Sequence, residues 1–414
     1  MNWRRNGAWL LAVFLAWVTA CEEHESISAC GGTCTDVATA AELSAALTSD
    51  TACICLLGGT YEGQFSLDKP KSLSGLGTNK TIITSKAGTP LTVRSGNVTI
   101  SNLGVKMDLA GKAETPAVRV EAAAGKPALS TVAFSHVAVS AKNGGGIRVA
   151  DTSPFTLTDA TVTADAKGIV LVGTTSATLS GVSVTDCGRM GIAFANGAKG
   201  LLSSSKVLRN GYTGVWVQDT TEVRILKTTI SDNALAGINI VNAKNILIEQ
   251  SEVSSSKMLT GREEADGIVV YTPELAGDPI MAGDPIMHHA FTLLNSTVKD
   301  NPRAALIFDG TSASVGKELK SVFLDGVTIF RMAYGIVFQN GLAPESFTGD
   351  AAAVSEEFSE GYETGVADRG EESDQAPLLS DEEVGGSDTE ELPDADTPSA
   401  NDGTLPIENE KESF

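Results

Sequence analysis

Residues 168 to 217 read GIVLVGTTSATLSGVSVTDCGRM, then GIAFANGAKGLLSSSKVLRNGYT, then GVWV: two near-copies of one 23-residue unit and the opening of a third. The same Gly-apolar-x-apolar start occurs upstream at Gly146-Ile147-Arg148-Val149 and downstream at Gly237-Ile238-Asn239-Ile240, so the spacings from Gly146 are 22, 23, 23 and 23. Looser copies begin at Gly267, Ala305 and Gly335, and earlier ones at Ala117 and Pro90, which makes ten units. Between them runs a second alternating segment, at Val132 to Val139, Phe155 to Val162, Ala177 to Val184, Val223 to Ile230, Ile246 to Val253, Phe291 to Val298 and Val322 to Ile329.

Period-two apolar residues bounded by Gly, Asn, Asp and Ser are the pattern of short strands, and helices cannot satisfy it. A unit of about 23 residues is too short to enclose its own core. Stacked units solve this, because each inward Ile, Val, Leu or Phe then sits on its counterpart in the unit below, at ~4.8 Å. The expected fold is all-β, a right-handed single-stranded parallel β-helix of about ten coils. Asn210, Asn233 and Asn301 fall at one offset after the second strand, with Cys187 in the same place. The expectation there is a left-handed turn residue, which Asn tolerates, and a ladder of stacked amides.

A stack has a top edge that must be covered. Thr39 to Leu47 reads as a short amphipathic helix with Leu43 and Leu47 on one side, followed by Cys53 to Leu57, Gly58-Gly59-Thr60-Tyr61 and Leu73-Ser74-Gly75-Leu76-Gly77. This order of capping helix, strand, turn and strand resembles the start of pectate-lyase-like proteins of the right-handed β-helix repeat superfamily, over about Val37 to Gly341. The resemblance implies the fold but leaves the activity open, since the superfamily holds lyases, hydrolases, esterases, epimerases and non-catalytic binders. The residue sets of its enzymes are missing here. No Asp-Asp pair occurs, none of His24, His136, His288 and His289 lies between glycines, no Arg-x-Pro-x-x-Arg is present, and Gln218-Asp219 stands without an aromatic-rich setting.

The chain starts with Arg4 and Arg5, an apolar run from Ala8 to Ala16, and Val18-Thr19-Ala20-Cys21. Even counted on from Ala8 to Cys21, an apolar stretch of about 14 residues is too short to span a bilayer and reads as a secretory signal. The small residues before Cys21 resemble a bacterial lipobox, which implies a lipidated Cys21 as the mature N-terminus in the cell envelope, at the outer membrane or cell surface. Of the remaining cysteines, Cys30, Cys34, Cys53 and Cys55 cluster, and outside the cytoplasm such a cluster reads as disulfides in preference to a four-thiolate zinc site. Cys53 and Cys55 share one strand face about 6.5 to 7 Å apart, too far for a mutual bond. Cys30 and Cys34 are therefore their expected partners, and Cys187 is expected buried.

Of 52 acidic and 30 basic residues, 22 and 2 lie in 345–414, which leaves 30 and 28 for the rest. The tail lacks a lasting apolar period and is expected to be disordered, either as a solvating segment or as an arm for cations or basic partners. With no basic stripe, nucleic-acid binding is excluded as an expectation. The organisation is therefore a signal peptide at 1–20, a lipidated linker with disulfide cysteines at 21–36, the β-helix with its N-terminal helical cap at 37–341, and the acidic tail at 342–414.

If the two apolar residues of each Gly-apolar-x-apolar motif point inward, the outward rows read Arg148, Val170, Ala193, Trp216, Asn239, Val269, Ile307, Val337 and Ala150, Val172, Ala195, Gln218, Val241, Tyr271, Asp309, Gln339. Trp216, Gln218, Asn239, Tyr271 and Asp309 then form a polar and aromatic patch suited to a pyranose ring and its hydroxyls. The many apolar neighbours equally suit a covered face. Long excursions at Ser254 to Asp266 and Thr272 to Ala290 adjoin the patch, where a solenoid commonly carries specificity. The second holds a tandem copy, Ala276 to Met281 and Ala282 to Met287, then His288-His289. Replication slippage explains the copy, although Met281, Met287, His288 and His289 are a donor set that suits copper. No catalytic residue, cofactor or metal ligand is assigned, with calcium or copper the ions to consider. The functional expectation is a non-catalytic envelope scaffold for polysaccharide. A lyase or epimerase on the same fold and a structural or protein-interaction rod are the alternatives.

Overall fold

A computed structural model of the chain describes residues 34–111, 114–258, 265–272, 289–310, 319–339, 344–348, 353–354 and 366–369. Every strand pairing is parallel, and the chain winds as a right-handed β-helix with three strands per regular coil. Two ladders merge into a 23-stranded sheet because the eleven-residue strands Val98–Asp108 and Val132–Lys142 run through both. The third ladder is a separate sheet of twelve strands among the described residues.

That third sheet is the Gly-apolar-x-apolar repeat itself, in register: Ile147, Ile169, Ile192, Val215 and Ile238 align through successive pairings. All five are buried, as are Val149, Leu171, Phe194, Val217 and Ile240 one step along. The leading glycine is required by close stacking of backbones. A Cβ on Gly168 would lie 2.4 Å from the Gly191 carbonyl oxygen, and one on Gly146 would lie 2.3 Å from that of Gly168. The sheet also has strands outside the ten recognised units, Phe65–Leu67 before them and Val366–Arg369 after. Pro344–Thr348 and Ala353–Val354 extend the other ladders. Strand pairing thus continues past position 341, where the acidic tail was expected to begin: exposed ladder groups of the last coil gain partners from Phe347, Val354 and Val366 despite the acidic surroundings.

Each corner carries a column of left-handed residues. One column is Asp186, Arg209, Asp232, Ser255 and Asp300, with φ from 56° to 59°. The expectation for Asn210, Asn233 and Asn301 is corrected by one position, because these asparagines follow the left-handed residue and point inward, each at most 2% exposed. The amide ladder does exist. Asn233 Oδ1 accepts from the Asn210 backbone N–H at 3.1 Å and from Asn210 Nδ2 at 2.8 Å, while Asn233 Nδ2 donates to the Val207 carbonyl at 3.0 Å. Asn210 Oδ1 in turn accepts from the Cys187 backbone N–H at 3.1 Å, so Cys187 does occupy the expected slot. Its thiol is buried, and burial pushes its pKa up to about 12.

The top is closed as the sequence indicates. The helix Ala40–Thr48 starts at a capping box in which Thr39 and Glu42 satisfy each other's backbone N–H groups, and it buries Leu43 and Leu47. Its C-terminal end is held by Lys71, whose Nζ donates to the carbonyls of Ser49 at 2.9 Å and Thr51 at 2.6 Å. Tyr61 is fully buried beneath it, donating to the Val37 carbonyl at 2.6 Å. Thr35–Val37 pairs with Ile54–Leu56, which brings Cys34 opposite Cys53, and these two form a disulfide with a Cα separation of 4.5 Å. Cys55 is buried. Its expected partner, Cys30, lies outside the described residues, as do Cys21 and the signal segment. No helix among the described residues is long and apolar enough to cross a membrane.

Candidate functional site

The outward face of the third sheet gathers the singled-out residues. Its first row reads Arg119, Arg148, Val170, Ala193, Trp216, Asn239, Val269, Ile307 and Val337, and its second reads Ala150, Val172, Ala195, Gln218, Val241, Tyr271 and Asp309. Trp216, Gln218, Asn239, Tyr271 and Asp309 therefore share one face within four consecutive coils. Trp216 Nε1 donates to Gln218 Oε1 at 3.0 Å, Gln218 Nε2 to Asp219 Oδ2 at 3.1 Å, and Asn242 Nδ2 to Asp219 Oδ1 at 2.6 Å.

Of the two arrangements the sequence left open at Trp216, an exposed indole and a covered face, the structure holds the covered one. The residue keeps only 8% of its surface exposed, and it forms an apolar cluster with Ala150, Val170, Val172, Met190, Ala193 and Val241. Its ring lies 6.5 Å from that of Tyr212, tilted by 40°. The cause is the small or branched row neighbours, which let the indole settle onto the sheet while Gln218 uses its one donor. Asp309 is likewise only 3% exposed, and Tyr271 is half-buried against the cluster. Among the described residues, two buried side-chain oxygens lack a hydrogen-bond partner, Asn239 Oδ1 and Thr213 Oγ1, and both belong to this part of the molecule.

The sequence reading missed a charged recess at the upper end of the same face. It is floored by Gly145 and Gly146 and walled by Glu114, Arg148 and Lys167. Arg148 Nη1 meets Glu121 Oε2 at 3.0 Å, and Arg119 Nη1 meets Glu121 Oε1 at 3.2 Å. Glu114 bridges Arg189 and, at 3.9 Å, the Lys167 ammonium. Lys167 is 5% exposed, unusually deep for a lysine. Lys167 precedes the repeat glycine, in the slot that Gly145, Met190, Thr213, Ala236 and Asp266 fill in other coils. A charge at a slot that most coils fill with an uncharged residue was the available signal.

The same slot places Asp266 inside the lower part of the face, 1% exposed. Burial pushes its carboxyl up, and the Arg303 guanidinium beside it pulls down. Asp266 Oδ1 accepts from Arg303 Nε at 2.8 Å and from the Ala304 N–H at 3.2 Å, and Oδ2 meets Arg303 Nη2. This two-point pair occupies both carboxylate oxygens. No group of three or more His, Cys, Asp or Glu suited to a metal occurs among the described residues. Met281, Met287 and His288, the donors considered for copper, lie outside them, and His289 opens the strand His289–Leu294.

Comparison with known proteins agrees with this architecture. The family described as right handed beta helix region matches residues 124–273. Among solved structures, the chain is similar to the A-module of Azotobacter vinelandii mannuronan C-5 epimerase AlgE4, with a TM-score of 0.56 and 17% identity over 82% of this chain and 97% of that one. It is also similar to the catalytic domain of an alpha-1,3-glucanase in complex with nigerose, with a TM-score of 0.50 and 12% identity over 77% of this chain and 67% of that one. No curated protein sequence matches. The match over residues 124–273 and the shared fold together define a right-handed parallel β-helix protein.

Proposed function

We propose that the protein is a non-catalytic cell-envelope scaffold that binds polysaccharide along the outward face of its third sheet. It is exported by its N-terminal signal and held to the membrane by lipid on Cys21. One observation carries the reading: Arg148, Lys167 and Arg189 converge on a glycine-floored recess, and the same face reaches Trp216 and Tyr212 three coils on, about 14 Å away. Cations at one end suit carboxylate or sulfate substituents, and the half-buried Tyr212 and Tyr271, seated around the covered Trp216, suit ring faces and hydroxyls. The polysaccharide-directed proteins that share the fold support this ligand class. Three carboxylates of the face are held by arginines, Glu114 by Arg189, Glu121 by Arg148 and Asp266 by Arg303, and Asp219 is held by the amides of Gln218 and Asn242, which favours binding over turnover.

Titration calorimetry with a soluble polyuronide and a neutral glucan tests the reading. Arg148→Val and Lys167→Met copy the residues that the next coil carries at the same slots, Val170 and Met190, so they suit the fold. The native chain is expected to bind the polyuronide, with about a tenfold or greater loss in the double variant, on the scale of one or two charge-assisted contacts. Absence of binding to any glycan overturns the proposal in favour of a structural rod. Unsaturated uronate absorbance at the end of the titration overturns it in favour of a lyase.

A further inference from the structure

The first ladder of the large sheet, which runs through Phe155–Thr158, Ser176–Ser180 and Lys199–Ser203, changes character on its outward face. Its upper rows carry hydroxyls, at Thr156, Thr158, Thr178 and Ser180. In the coils that follow, the same positions hold Leu201, Arg224 and Leu247 in one row and Leu226 in the other. Phe323 lies further down the first row and is exposed, and the three leucines are half-buried. A solvated sheet face is ordinarily polar, so this stretch presents carbon where the upper coils present hydroxyls.

Four cations gather on the same two coils. Lys199 opens the strand Lys199–Ser203, and Arg224 lies between Leu201 and Leu247 in the row. Lys227 stands at the left-handed bend between the first and second ladders, φ 52°, and Lys206 opens the strand Lys206–Leu208 of the second. All four are exposed. None of them joins an ion pair or a side-chain hydrogen bond among the described residues, whereas nearby Arg209 holds Asp186 and Lys257 holds Asp232. Only two acids border them, Glu222 one coil below Lys199 and Glu249 one coil below Leu226. Sequence sharpens the contrast, since Cys187 to Gln218 contains no Asp or Glu.

A partner for this face has to use both its charge and its carbon. The acidic segment 371–396 of the same chain would use the cations and leave the leucines in water. A second copy meeting the face through itself would set cations against cations. The surface of an anionic bilayer uses both, because headgroup phosphates attract Lys and Arg while the acyl boundary takes up Leu and Phe. We propose that the face from Leu201 to Phe323, with Lys199, Lys206, Arg224 and Lys227, is a membrane-contact surface for anionic phospholipid. The third sheet is another side of the rod, so contact through the first ladder leaves it open to other ligands. The proposal rests on the envelope reading only for the lipid on Cys21 that brings the rod to a bilayer.

The test uses the full chain and a full-length variant carrying Lys199→Ser, Lys206→Ser, Arg224→Thr and Lys227→Gln. These copy Ser176, Ser183, Thr292 and Gln250 at the same positions of nearby coils, so they suit the fold. Each chain is floated with vesicles of phosphatidylcholine alone, or of equal parts phosphatidylcholine and phosphatidylglycerol, and footprinted with hydroxyl radicals. On the mixed vesicles Leu226, Leu247 and Phe323 of the native chain are expected to react at least about threefold more slowly than on phosphatidylcholine, with Tyr212 and Tyr271 unchanged. The variant is expected to lose that difference. Flotation with both compositions but identical footprints keeps the lipid anchor and overturns the contact face. Flotation with the mixed vesicles only, lost in the variant, keeps the face and rejects the anchor. Protection of the same residues without vesicles, abolished when the eleven acids of 371–396 become Asn or Gln, overturns the proposal in favour of the acidic segment.

Discussion

Substituting glycine at two adjacent positions, Asp232 and Asn233, separates the roles that the turn assigns to them. Asp232 holds the left-handed backbone, φ 59°, with its side chain in solvent, where it meets Lys257 at 3.3 Å. Asp232→Gly relieves a non-glycine left-handed conformation, worth about 1 kcal/mol. It gives up an exposed ion pair worth about 0 to 1 kcal/mol. The net change is expected to be within about 0.5 kcal/mol of zero. Asn233→Gly deletes a buried amide that satisfies three groups, the Asn210 N–H, the Asn210 Nδ2 and the Val207 carbonyl. Each buried polar group left unsatisfied costs about 1 to 3 kcal/mol, so a total of at least about 3 kcal/mol is expected. Because each coil contacts mainly its neighbours, the loss centres on the coils from Lys206 to Val241. Denaturant unfolding gives the overall loss, and hydrogen exchange resolved by peptide gives its location. Equal tolerance of glycine at both positions would refute the reasoning, since it would mean that the asparagine serves only the backbone turn.

Three further outcomes follow. Gly168→Ala sets a methyl 2.4 Å from the Gly191 carbonyl oxygen and 2.7 Å from Val184 Cγ1, so it is expected to lower stability by about 2 to 3 kcal/mol in thermal or urea unfolding. Lys71→Met leaves the carbonyls of Ser49 and Thr51 without their donor, and is expected to speed hydrogen exchange in the helix Ala40–Thr48 while leaving the central coils unchanged. The Arg209 guanidinium holds the Asp186 carboxyl below the usual aspartate range, so carbon-detected NMR should show its titration moving upward in Arg209→Ala. The sign follows from the depressed folded pKa: the pair's contribution is present above the ordinary aspartate pKa and is lost as the pH falls through the folded value.

The central coils were legible because inward residues are set by period and by stacking, which Ile147, Ile169, Ile192, Val215 and Ile238 display at nearly constant spacing. The helical cap was legible for a similar reason, since Leu43 and Leu47 fall one helical turn apart on one side of Thr39 to Leu47. The amide ladder was placed one residue out of phase because Asn suits both a left-handed turn and a buried hydrogen-bonding slot, and only the backbone distinguishes Arg209 from Asn210. The set of four clustered cysteines was readable, whereas the choice of Cys34 for Cys53 depends on the pairing of Thr35–Val37 with Ile54–Leu56. On the candidate face, the row order of Trp216, Gln218, Asn239, Tyr271 and Asp309 came from the repeat. Their exposure did not, because shielding of Trp216 depends on how side chains settle across neighbouring coils. The recess escaped notice because Glu114, Lys167 and Arg189 lie in turns far apart in the chain, and only the winding of the coil brings them together.

The claim that polysaccharide lies along the third sheet is tested most directly by hydroxyl-radical footprinting with and without bound polymer. Protection is expected at Tyr212 and Tyr271, with no change at Phe323, which is 39% exposed on the first ladder. Protection at Phe323 with Tyr212 and Tyr271 unchanged, under conditions where binding is measured, would contradict the account.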